Sequence, residues 1–112
     1  MVLFPKSQVK MVCDGTKCAT LRKPTMNIKS DVQKCINNFK FGAFAEISGV
    51  TTEIISVDDI TDELARDLGY QSRDEYLLQG WNNEYDERLL IRWTGVTVYQ
   101  DVVEKLGVDL ND

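Results

Sequence analysis

Short stretches of strict apolar/polar alternation are interleaved, in no regular order, with short helical patterns that carry their own start and stop signals. Cys18-Ala19-Thr20-Leu21-Arg22 alternates, as does Arg88 to Trp93. Phe41 to Val50 and the β-rich Thr51 to Val57 read as two further strands meeting at Gly49, which marks a bend or bulge. Helical spacing appears at Lys6–Asp14 with Ser7 as N-cap, at Thr61–Leu68, at Arg73 to about Trp81 with Ser72 as N-cap, and at Val98–Leu106. Gly15, Gly69 and Gly107 stop three of these helices. Such an order excludes a helix bundle and lacks the β-α-β alternation of a doubly wound parallel sheet. It predicts an α+β fold on one small, curved, mainly antiparallel sheet. Residues 25–40 are the least legible. Ser30-Asp31 offers an N-cap, and Val32, Cys35 and Ile36 then fall at helical spacing.

Length and residue usage bound the function. The 112 residues form one domain, 1–112, with 43% hydrophobic and 28% charged side chains. No apolar run approaches the ~18 residues of a membrane span, and residues 1–6 lack the pattern of a signal peptide, so no membrane association and a cytoplasmic location are expected. The three cysteines, Cys13, Cys18 and Cys35, form no C-x-x-C pair and read as small hydrophobes rather than a disulfide or zinc set. Histidine is absent, which removes the Ser-His-Asp and Cys-His arrangements and the commonest acid/base group. No cofactor or metal is indicated. Asp58-Asp59 has the look of a metal pair but is better explained as the turn before a helix.

Charge divides sharply along the chain. Residues 1–42 hold eight basic and two acidic side chains; residues 43–112 hold five basic and sixteen acidic, within a net charge of -5. One basic surface on an acidic body steers an anionic ligand despite the negative total. The alternative is that the two halves neutralise one another in the fold.

Gly15-Thr16-Lys17-Cys18-Ala19-Thr20-Leu21-Arg22 fits G-x-K-x-x-T-x-R, and Ile60 to Tyr70 follows at a distance with a second helix capped at Ser72. In these two motifs, over roughly residues 4–94, the chain resembles an ASCH domain, a branch of the PUA-like β-barrels. The resemblance implies a small barrel of about five or six strands with helices at its openings. It also implies a cleft beside the motif strand that receives RNA or a nucleoside. One branch of the family hydrolyses N-acetylated cytidine with Lys and Thr of this motif and a Glu from the later helix; another member type is a ribonuclease. Compact stand-alone members occur in phage genomes.

The residues themselves support part of that chemistry. A Thr hydroxyl needs a base to become a nucleophile, and a neutral Lys17, disfavoured as a cation by Arg22, is a candidate for Thr20. The leaving amine needs an acid. Where the family reads Ala-x-x-Glu-Gly-aromatic, this chain reads Ala65-Arg66-Asp67-Leu68-Gly69-Tyr70, with Leu68 at the acid position. Asp67 points about 100° away on a helix, and Glu46 is the other substitute carboxylate. The expected site is therefore a ligand cleft of Lys17, Thr20, Arg22 and Leu68, with Lys23 at the rim and Trp81 as a base-stacking face. Lys17, Thr20 and weakly Asp67 would be catalytic only in an enzyme. Trp93 reads as core, and Tyr85 as a further stacking candidate. The expected partner is RNA or a nucleoside or nucleotide. Two alternatives stand beside it: a hydrolase of acylated nucleosides or RNA, and a protein-interaction module using the acidic C-terminal half.

Overall fold

A computed structural model describes residues 1–81 and 85–111. Its elements run β1 (Val2–Leu3), α1 (Lys6–Asp14), β2 (Ala19–Arg22), β3 (Val32–Ile36), β4 (Ala43–Ser48), β5 (Thr51–Ser56), a 3-10 turn (Val57–Asp59), α2 (Asp62–Asp67), α3 (Arg73–Gln79), β6 (Glu87–Arg92), β7 (Gly95–Val98) and α4 (Gln100–Lys105). The α+β class expected from the sequence holds.

The organising feature is a long antiparallel ribbon that turns a corner. β4 pairs with β7, and β5 pairs with β6. Ser48 lies opposite Gly95 and Thr51 opposite Arg92, so both strands pass through the corner without losing register. Gly49 makes the corner: its φ of +64° is left-handed, and a Cβ there would collide with Thr94 Oγ1. Strands that bend in this way pass from one sheet to another. The single curved sheet expected from the alternation is accordingly two sheets, ordered β1-β3-β4-β7 and β2-β6-β5. Among the described residues no ladder joins β1 to β2, and the sheets do not close into a barrel.

Alternation in β6 serves two cores at once. Leu89 and Ile91, with Trp93 just beyond, join the larger core of Val2, Phe4, Val9, Val12, Phe44 and Ile47. Leu90 faces the other way, into a second core of Ala19, Ile55, Leu64, Ala65, Leu68 and Tyr76. Helices α2 and α3 thus cover a face of the three-stranded sheet rather than the mouth of a barrel. Their caps are as expected: Thr61 Oγ1 accepts from the Leu64 amide and Ser72 Oγ from the Glu75 amide. Asp58-Asp59 also behaves as a turn, with Asp59 accepting from the Ser56 amide.

Three local expectations are corrected. Residues 32–36 are strand β3, not a helix. The side chain of Ser30 accepts from the Val32 amide, which makes a turn, while the Asp31 carbonyl accepts from the Val50 amide at the corner. Helix α1 is preceded by Pro5 rather than capped by Ser7, which lies within it. Val98 ends β7, and α4 begins only at Gln100, because Tyr99 leaves the strand and donates its amide to Phe44 O. All three cysteines are free thiols. Among the described residues no helix is long and apolar enough to cross a membrane.

Candidate functional site

Strand β2 is an edge strand, and its free side opens on a cleft of about 190 Å³. Pro5 and Gln8 from the start of α1 line one side. Lys17, Thr20, Leu21 and Arg22 form the strand side, and Leu68, Tyr70, Tyr76 and Gly80 close it from α2 and α3. The motif residues Lys17, Thr20 and Arg22 are brought together as expected, with Leu68 beside them.

The turn before β2 is pinned to the end of α2. Lys17 N–H donates to Met11 O, and Cys18 N–H donates to Asp67 O. This anchoring carries the Lys17 side chain inward, where only 3% of the residue is exposed. Its Nζ donates to the Leu68 carbonyl at 2.6 Å, one of the carbonyls left unpaired at the end of the helix. A cation there also meets the negative end of the helix dipole. Burial nevertheless dominates: it lowers the Lys17 pKa to about 7, the positive Arg22 pushes the same way, and Cys18 opposes them. Near neutrality Lys17 is therefore divided between a cationic donor and a neutral amine that can accept a proton.

Arg22 is the second cation. Its guanidinium sits 5.1 Å from the centroid of the Phe4 ring, which holds it over the larger core. Its Nε is buried without a hydrogen-bond partner. A buried, unsatisfied donor costs roughly 1–3 kcal/mol. Burial lowers the Arg22 pKa, yet an arginine stays charged. Thr20 is 5% exposed and lies opposite Ile91 in the ladder.

Among the described residues no carboxylate lines this cleft. Asp67 instead holds Arg92 at 2.9 Å and lies beside the Cys18 thiol. Glu46 is on the four-stranded sheet, bound to Lys34 at 2.7 Å. Asp62 accepts from the Arg73 amide. The neutralisation that acidic residues would bring to the cleft is absent from these pairings.

Leu68 is 1% exposed and its side chain is part of the second core. What it offers Lys17 is its main-chain carbonyl, so the acid position of the motif is here a packing position. Trp81 does not line the cleft; it packs edge-on to Tyr76 and under the Arg88 guanidinium, 4.3 Å from its ring centroid. Tyr85 lies near the same guanidinium. Trp93 is core. The aromatic wall is made by Tyr70 and Tyr76, edge to face at 5.1 Å, which the sequence reading did not place there. Gly80 permits that wall. A Cβ on it would lie 2.5 Å from Tyr76 Cε2 and 2.8 Å from the Tyr70 hydroxyl.

No protein-family model, curated protein or solved structure matches the chain.

Lys23 is exposed and faces a second, adjoining hollow of about 440 Å³, lined by Met1, Leu3, Arg22, Lys23, Thr25 and Met26. Arg22 belongs to both spaces. Lys6, Lys10 and Lys29 line neither.

Proposed function

We propose that this protein is an ASCH-type module that binds RNA or a nucleotide, with the cleft beside β2 as its ligand site. The observation that carries the reading is the pair Lys17 and Arg22: two basic side chains on one cleft, neither paired with a carboxylate among the described residues. An anionic ligand in the cleft would balance their charge. Tyr70 and Tyr76 supply an aromatic wall for a base or ribose, and Thr20 a hydroxyl. A PUA-like barrel left open along the seam between β1 and β2 is the fold reading that goes with it.

Binding is favoured over hydrolysis by the carboxylates. Amide hydrolysis at Thr20 requires an acid for the leaving amine. Leu68 cannot provide one, and Asp67 and Glu46 are committed to Arg92 and Lys34. The expected turnover of N-acetylated cytidine is accordingly negligible. Restoring an acid by Leu68→Glu is not a route to activity, because it puts a carboxyl into the second core and removes a buried leucine.

Titrating the full chain with cytidine 5′-monophosphate and with a short single-stranded RNA tests the reading. Binding of either, weakened at least tenfold by Arg22→Ala, supports it. Absence of binding to both, or binding indifferent to Arg22 and Lys17, contradicts it.

A further inference from the structure

At about 190 Å³ the cleft falls below the ~300–1,000 Å³ of a typical ligand pocket, while the adjoining hollow, at about 440 Å³, lies within that range. The two differ in chemistry. The cleft carries an amine, a hydroxyl and two phenols. Among the described residues the hollow is built from the apolar side chains of Met1, Leu3 and Met26 with Arg22, Lys23 and Thr25. Met1 and Leu3, at 58% and 44% exposed, present its apolar side chains to solvent. Arg22 lines both spaces, and Lys23 stands next to it in the hollow.

We infer that the two spaces form one continuous site for two consecutive nucleotides, the 3′ nucleotide in the cleft, its 5′ linking phosphodiester at Arg22, and the base of the preceding nucleotide against Met26 and Leu3. This rests on the nucleotide reading of the cleft and extends it from a single nucleotide to a dinucleotide step. Three observations favour a nucleic acid strand as the occupant. Arg22 and Lys23 fit a bridging anion. The apolar floor of Met1, Leu3 and Met26 gives a base face van der Waals contact without an aromatic platform. Among the described residues the polar side chains of the hollow are Arg22, Lys23 and Thr25; with the two cations given to the phosphate, little remains to read a base edge, so the second position holds any base. The module therefore accepts single-stranded RNA with little sequence preference at that position.

The test compares cytidine 5′-monophosphate with the dinucleotide cytidylyl-(3′→5′)-cytidine, by calorimetry on the full chain. The expected result is at least tenfold tighter binding of the dinucleotide. Met26→Ser and, independently, Leu3→Ser abolish that gain and leave the mononucleotide affinity within about twofold. Leu3 is exposed, so its variant keeps the test open should Met26→Ser disturb the core. Equal affinity for the two ligands, or variants that weaken both alike, overturns the extension while leaving the cleft reading intact. Failure of both ligands to bind overturns the cleft reading and the extension together.

Discussion

Lys17 and Lys34 come from the same basic third of the chain and end in opposite circumstances. Lys34 lies on the outer face of the four-stranded sheet, across from Glu46 on the neighbouring strand. It binds that carboxylate at 2.7 Å and the Tyr99 hydroxyl at 3.0 Å, and Tyr99 in turn donates to Glu46. The hydrogen bond to Glu46, then that to Tyr99, raises its pKa. Lys17 is buried at the edge of the three-stranded sheet, with a carbonyl for a partner and Arg22 for company, and its pKa falls. The fold thus settles the charge split in two ways. On one sheet a basic strand is neutralised by an acidic neighbour, as the bland reading of the charge pattern holds. At the other, Lys17 and Arg22 have no carboxylate partner among the described residues.

The largest effect separating the two regions is on ligand affinity. Arg22→Ala and Lys17→Ala each remove a charge-assisted contact of about 1.5–3 kcal/mol, so affinity for cytidine 5′-monophosphate falls roughly 10- to 100-fold. Lys34→Ala leaves it unchanged within twofold. Parallel calorimetric titrations of the three variants check this.

Protonation sharpens the contrast. An unfolded lysine holds its proton to about pH 10.4, while folded Lys17 releases its own near 7. Between these values the unfolded chain binds the extra proton, so stability rises with pH, by up to about 1.4 kcal/mol per pH unit; below pH 7 the full penalty of burying the charge remains. Half-buried Cys13 and buried Cys35, pushed up to about 11 and about 12, act in the opposite sense once their unfolded counterparts ionise, so the clean window is pH 7 to 8. Urea unfolding across that window is expected to show a rising stability in the natural protein, flattened by Lys17→Met and unaltered by Lys34→Met. The same titration makes phosphate-ligand affinity fall from pH 6 to pH 8.5.

A smaller effect separates the aromatic wall from the motif strand. Gly80→Ala drives a methyl against Tyr76 and the Tyr70 hydroxyl. It is expected to cost about 1–3 kcal/mol in stability, and to weaken the nucleotide several-fold by displacing the wall. Thermal unfolding and a titration of the same sample measure both. The smallest effect is that of Glu46→Gln: it breaks the Lys34 pair on an exposed surface and leaves nucleotide affinity untouched, which a single titration checks.

What could be read in advance follows from how local each signal is. Helices α2 and α3 announce themselves because Thr61 and Ser72 are capping side chains bonded three residues on. The alternation of β2 and β6 is plain because opposite faces meet different cores. Strand β3 was hidden because its inward face mixes Gln33 with Cys35. Gln33 is tolerated inside by bonds to Ser30 O and the amino group of Met1, neither of which a pattern of apolar residues reveals. β7 was hidden by the corner, since Gly95 reads as the end of a strand that in fact resumes after the bend. At the cleft, Lys17, Thr20 and Arg22 were legible from their spacing in one motif. Tyr70 and Tyr76 were not, because their place depends on how α2 and α3 pack; the only local hints are Gly69 before Tyr70 and the bare Gly80 four residues after Tyr76. Leu68 was legible as core from its spacing to Leu64, and its carbonyl's role was not.

The central claim, that the unneutralised cations at the edge of β2 mark the ligand site, is tested most directly by a two-dimensional amide NMR titration of the full chain with cytidine 5′-monophosphate at pH 6.5. The account predicts progressive shifts of the Lys17, Thr20, Arg22, Tyr70 and Tyr76 amides, with Lys34, Glu46 and Tyr99 stationary. Shifts confined to the face of Lys34, Glu46 and Tyr99, or a spectrum unmoved at millimolar nucleotide, would contradict it.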